Sequence, residues 1–188
     1  MTSSPIVAGI DPGIFGGIAI GNAATPMPVT RTLIKEAITV LDLKDGKKQF
    51  YKSGPNKGEP KKRIKAAAKH KTELDVKAIF ALLAVVDILV IETPGTSFGN
   101  AARSTSTVNK NYGKILAVAE LCNCKIIPVA PAKWKKDLGL SKEKTDSVLM
   151  AEKLTGLSFI TARGRLLDGM AEAVCLVHWY KTHYKGEI

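Results

Sequence analysis

Cysteine is scarce and odd in number: Cys122, Cys124 and Cys175 are the only three in 188 residues. A closed set of disulfides is excluded, and Cys122-Asn123-Cys124 is too tight for a zinc-ligand pair. The three histidines, His70, His178 and His183, show no ligand spacing. Zinc is therefore not expected, and the cysteines read as reduced thiols near a core. Long apolar runs are also missing. The longest, from Ala78 to Ile91, is broken by Asp87 and is shorter than the ~18 residues that cross a bilayer. Met1-Thr2-Ser3-Ser4-Pro5 lacks the basic start and apolar segment of an export signal, so a cytoplasmic location and no membrane partner are expected. Acid is in deficit as well: 17 Asp+Glu face 28 Lys+Arg, a net charge of +11. That balance suits a polyanionic partner. The 45% hydrophobic content argues against a disordered basic tail, and a chain of this length fits one domain, here 1–188, that buries roughly 70% of its unfolded surface.

The acids that are present fall at telling places. Ile6 to Ile10 reads as a buried strand stopped by Asp11-Pro12-Gly13, Gly16 to Ile20 as its hairpin partner, and Ala37 to Leu43 as a third strand. Residues 44–71 then hold eleven Lys/Arg against Asp45 and Glu59, a basic elaboration broken by glycine and proline. Glu73 to Val86 carries a helical apolar stripe, Ile88 to Ile91 is a short strand closed by Glu92, and Tyr112 to Leu121 is a helix. Lys125 to Val129 is a fifth strand, Ser141 is placed to cap the next helix, and Leu166 to Tyr180 forms the last. Short links make the first three strands an antiparallel meander, and helical crossovers make the later two parallel to the first. The expected fold is α/β: a mixed five-stranded sheet, order 3-2-1-4-5, with helices on both faces.

In that order Asp11 and Glu92 end neighbouring parallel strands about 4.8 Å apart. Asp168 and Glu172, four apart on the last helix, share one face. Taken singly, Asp11 is also a turn residue and Glu172 also a solvated helix residue. Taken together they form a cluster whose mutual repulsion a cation would relieve. Hard oxygen ligands select Mg²⁺, with Mn²⁺ as substitute, and two such ions can cleave a phosphodiester.

With these residues the chain resembles the RuvC-type Holliday-junction resolvases of the ribonuclease H-like superfamily. The resemblance rests on Gly9-Ile10-Asp11-Pro12-Gly13, Ile91-Glu92 and the acidic last helix. Thr93 to Gly99, Asn111-Tyr112-Gly113 and Pro128 to Lys135 are similar to the phage branch. It implies Asp11, Glu92, Asp168 and Glu172 as catalytic metal ligands, two ions per site, and no nucleotide cofactor. The bacterial members space the helix pair three apart, whereas here it is four. It further implies a homodimer on a four-way DNA junction, nicking two opposed strands symmetrically, with the 112–121 helix as dimer contact through Gly113, Ala117 and Ala119. A bacteriophage setting is implied too.

Phosphate contacts are expected from the 44–71 segment, notably Lys61, Lys62 and Arg63, and from Arg103, Lys110, Lys114, Lys133, Lys135 and Lys136. Phe98, on a Gly-flanked loop, suits either an aromatic wedge at the junction centre or a core anchor. Trp134 is expected to pack against the sheet edge. Three rivals remain: a broader nuclease of flaps, forks and Y-junctions, a non-catalytic basic DNA-binding protein, and an actin-like ATP-binding fold. The last would need a second phosphate loop and a duplicated domain, for which the chain is too short.

Overall fold

Apolar residues at every position of two short segments explain the centre of the molecule. In the computed structural model, which describes residues 4–36, 38–41, 43–44, 47–95 and 102–184, strand β1 (Val7–Asp11) pairs in parallel with β10 (Ile88–Glu92). β1 also pairs antiparallel with β2 (Gly17–Ile20), which pairs with β3 (Ala23–Pro26). β11 (Lys125–Val129) lies parallel on the far side of β10. The five strands run β11-β10-β1-β2-β3, which is the expected 3-2-1-4-5 order.

Side chains alternate across the pleat, so each central strand feeds two cores. Val7, Ile88, Val90, Ile127 and Val129 point to one side. There they meet α3 (Pro131–Asp137), α4 (Lys144–Thr155) and α5 (Asp168–His183) through Trp134, Val148, Ala173 and Leu176. Ala8, Ile10, Ile18, Leu89 and Ile91 point to the other side and pack on Ile79 and Leu83 of α1 (Val76–Leu83) and Ile115 and Val118 of α2 (Ala102–Leu121). Helices thus cover both faces. Among the described residues no helix is long and apolar enough to cross a membrane. All three cysteines are free thiols, with Cys124 and Cys175 buried.

Four expectations need correcting. The third strand of the sheet is β3, not the 37–43 segment, because β2 turns back at once through Gly21 with its positive φ of 61°. The first helix starts at Val76, where Asp75 accepts a hydrogen bond from the Ala78 N–H, while Leu74 belongs to a strand. Helix α2 begins at Ala102, ten residues before its apolar half at Tyr112, since the polar 102–111 stretch lies on its first turns. Ser141 does not cap α4. That helix begins at Lys144, and Ser141 instead closes a turn, accepting from the Glu143 N–H and donating its own N–H to Asp146.

The chain divides into two compact units: residues 1–29 with 74–188, and residues 30–73. The second unit is built from two-stranded pairs. β4 (Val29–Lys35) pairs with β9 (Lys69–Leu74), β5 (Ile38–Leu41) with β8 (Lys62–Ala66), and β6 (Leu43–Lys44) with β7 (Lys47–Lys48). A further hairpin follows, in which Lys61 N–H donates to Gln49, Tyr51 N–H to Glu59, and Phe50 bridges Pro60. The basic 44–71 segment lies within this ribbon.

Candidate active site

The pleat decides where the acids face. Asp11 and Glu92 keep the parity of Val7 and Ile88, whose partnership sets the β1–β10 register. Both carboxylates therefore leave the sheet on the side covered by α3, α4 and α5, at the carboxyl ends of adjacent parallel strands, where open α/β sheets bind ligands. Close backbone contact brings α5 to them. A Cβ on Gly9 would meet the Ala173 carbonyl at 2.2 Å, one on Gly17 the Met170 Cα at 2.6 Å, and one on Gly169 the Gly16 Cα at 2.5 Å and Asp11 Oδ2 at 2.8 Å. Three glycines thus set the first turn of α5 against β1 and β2. Asp168 in that turn has the favourable sign for the helix N-terminus.

Asp11 lies within electrostatic range of Glu172 and Asp168, and Glu92 within range of Glu172 and Asp11. Burial pushes the Asp11 carboxyl up to about 6; the Gly13 N–H bonded to its Oδ1 at 3.2 Å opposes this, and the Glu172 and Asp168 charges add to it. Burial pushes Glu92 up to about 7, with Glu172 and Asp11 adding to the rise and the Trp134 indole opposing it. Glu172 thus acts on both strand acids. Two of the four have lysine counterions: Lys135 Nζ lies 2.7 Å from Glu172 Oε1, and Lys144 pairs with Asp168. That pairing holds the Lys144 ammonium above its ordinary value. Beneath Glu172, the buried Cys175 thiol is pushed up to about 12, first by burial and then by Glu172, so it stays protonated and inert.

Among the described residues no three His, Cys, Asp or Glu side chains close into a ready-made metal shell. Glu172 and Asp168 are paired with lysines instead. The donor set nonetheless fits a hard divalent cation. It offers four carboxylates, two of them half-buried and raised in pKa, by burial first, with their acidic neighbours adding to the rise. Holding a cation would require Glu172 and Asp168 to turn from their lysines.

Three residues at the site carry roles the sequence did not announce. Trp134 is fully buried and donates Nε1–H to Glu92 Oε2 at 2.8 Å, where edge packing alone was expected. Lys135, predicted for DNA, is the Glu172 counterion, and Lys144 was not expected at the site. The signal for Trp134 and Lys135 was the Pro131 start of α3 directly after β11, which returns that helix over the acid face. For Lys144 no local signal exists, because its partner is 24 residues away.

The predicted DNA residues divide. Lys133 is ion-paired with Asp137, which also accepts from the Trp179 indole at 2.8 Å. Lys136, Lys62 and Lys110 are exposed, and Lys61 and Lys114 are half-buried; Lys61 sits 5.8 Å over the Tyr51 ring. Arg103 is on α2 and Arg63 on β8, but their side chains, like the whole of Phe98, lie outside the described residues. Of the small residues expected at a dimer contact, Ala119 is buried in the chain's own core, whereas Gly113 and Ala117 are exposed in line with Leu121. A cavity of about 450 Å³ opens beside the cluster, lined by Asp11, Asp168, Lys144, Phe15, Thr107 and Asn111. A larger one of about 620 Å³, between α3 and the 139–142 turn, contains none of the four acids.

No protein-family model matches the chain, and no curated protein does. Among solved structures it is similar to Thermus thermophilus RuvC at 18% identity, covering 94% of this chain and 95% of that one, with a TM-score of 0.49. It is also similar to T. thermophilus RuvC in complex with a Holliday junction substrate, at 15% identity, 94% of each chain and a TM-score of 0.48.

Proposed function

We propose that this protein is a divalent-metal-dependent, structure-selective DNA endonuclease that resolves four-way junctions by paired nicks. The observation that carries the reading is the convergence of Asp11, Glu92, Asp168 and Glu172 on one end of a parallel strand pair, in a chain of net charge +11. Half-buried carboxylates with raised pKa values are candidate functional groups, and a strongly basic chain suits a polyanionic substrate such as a phosphodiester.

The four acids would hold Mg²⁺ or Mn²⁺, which supplies Lewis-acid stabilisation and an activated water for phosphodiester hydrolysis. The chain's own residues prepare that site. The Gly13 N–H and the Trp134 indole fix the strand carboxylates. Lys135 and Lys144 place two positive charges at the cluster edge, where a phosphate would lie. A two-fold homodimer would present two such sites to a two-fold junction. The exposed Gly113–Ala117–Leu121 line of α2 is the face offered for it. A cytoplasmic protein processing branched DNA, of phage or host, fits this reading.

The test incubates purified protein with end-labelled four-way, three-way, flap and linear DNA, with and without Mg²⁺. Symmetric Mg²⁺-dependent nicks on the four-way junction, lost in Asp11→Asn and Glu92→Gln, are expected. Equal cutting of flaps and three-way forms would replace junction resolution with a broader branched-DNA nuclease. Binding without cutting under every metal condition would leave only a basic DNA-binding protein.

A further inference from the structure

The geometry points to a base-stacking subsite, formed by Phe15 and Arg165 beside the carboxylates, that takes an unstacked nucleobase of the DNA strand. It rests on the proposed nuclease reading and deepens it by naming what the site recognises in a branched substrate.

Phe15 is 81% exposed, the most exposed of the large apolar side chains among the described residues. A single exposed apolar residue is ordinary; its setting here is not. Phe15 lines the same cavity as Asp11, Asp168 and Lys144. The turn that carries it is tied to Asp11 itself. Asp11 Oδ1 accepts from the Gly13 N–H, and the Gly16 N–H donates to the Gly13 carbonyl at 2.9 Å. The Gly16 carbonyl accepts from the Met27 N–H at 3.0 Å. A Cβ at Gly16 would meet the Asp11 carbonyl at 2.1 Å, so the turn cannot be refilled or relaxed by a larger residue there. Phe15 is thus held at a fixed offset from a proposed metal ligand while its ring faces water.

The Arg165 guanidinium lies 5.5 Å from the centroid of that ring. It is carried by a tight loop in which the Thr161 N–H donates to the Arg165 carbonyl and the Arg165 N–H to Thr161 Oγ1. An aromatic face with a guanidinium beside it is the pair that stacks single-stranded bases and attracts their phosphates. Magnitude gives this pair its selectivity. One base–aromatic stack is worth about 5- to 150-fold in affinity, ~1–3 kcal/mol. Pulling a base from intact duplex costs as much or more, and that cost is smaller at a branch point, where a base lacks the stack across the break. Phe15 therefore gains a base at a branch and none in linear duplex. The subsite discriminates by structure rather than by sequence.

The experiment compares wild-type protein with Phe15→Ala, Phe15→Leu and Phe15→Trp by fluorescence anisotropy in EDTA, on a four-way junction and on linear duplex. Melting curves and size-exclusion profiles of each variant accompany it. Phe15→Ala should weaken junction binding about 5- to 100-fold and leave duplex binding unchanged. Phe15→Leu should resemble it, and Phe15→Trp should retain affinity, with its emission altered by junction and not by duplex. Equal losses on both DNAs, no loss on either, full affinity in Phe15→Leu, or an altered oligomeric state would each overturn the subsite. Failure of wild-type protein to prefer the junction would count against the nuclease reading itself and is read without any variant.

Discussion

The two compact units of this chain are built on opposite principles. Residues 30–73 hold thirteen Lys/Arg against five Asp/Glu, and the remaining 144 residues hold fifteen against twelve. Less than a quarter of the chain thus carries most of its net charge. Where burial is described between 30 and 73, no residue is buried, whereas the other unit contains both hydrophobic clusters. A two-stranded ribbon is marginal by itself; among the described residues the basic unit is held by ladder hydrogen bonds, the body by packing. Burial gives the body the power to shift carboxylate pKa values and hold a site. Exposure gives the ribbon charge that any phosphate can reach. Chemistry is expected from the first and affinity from the second.

Substitutions should separate these roles. The largest effect is expected in the body: Asp11→Asn should reduce Mg²⁺-dependent cleavage on the order of 10²–10³-fold with junction affinity in EDTA little changed. A gel assay under single-turnover conditions reads this, and wild-type rates in Asp11→Asn would remove the acid from the chemistry. Next, Trp134→Phe leaves the half-buried Glu92 oxygen without its 2.8 Å donor. It should cost about 1–3 kcal/mol of stability by urea unfolding.

Asp11, at about 6, and Glu92, at about 7, stand above the usual 3.8 and 4.5. A raised carboxyl stabilises the fold fully when pH lies below its unfolded value, and that contribution is lost as pH rises through the folded one. In metal-free protein these two groups should therefore raise the Tm at pH 5 relative to pH 8, and Mg²⁺ should raise it more at pH 8. Calorimetry showing an equal Mg²⁺ shift at both values would disconnect the cation from these acids.

The smallest effect on the body, and the largest on salt dependence, is expected from the ribbon. Changing Lys47, Lys48, Lys52 and Lys57 to Gln should shift stability by under ~0.5 kcal/mol. If all four contact phosphate, the slope of log affinity against log salt should shrink by about 3 to 4. An unchanged slope would mean that the ribbon's charge is solvated surface.

Much of the body was legible in advance. Unbroken apolar runs at 7–10 and 88–91, each closed by an acid, specify buried parallel strands, and pleat parity then fixes which way Asp11 and Glu92 point. The ribbon was less legible. Its 37–43 segment has strand-forming residues, but propensity cannot say which strand is its partner, and β3 took the expected place in the sheet. At the site, a four-residue helical step put Asp168 and Glu172 on one face without saying what that face meets.

The sequence by itself determined the two central strands, the surplus of positive charge and the strand-end and helix positions of the four acids, because periodicity and chain connectivity are local properties. Only the tertiary structure decided that Trp134 bonds Glu92, that Lys135 and Lys144 neutralise Glu172 and Asp168, and that Phe15 opens beside Asp11. Those pairings join residues far apart in the chain, and Gly9, Gly17 and Gly169 let the helix that carries Asp168 and Glu172 settle directly onto two strands.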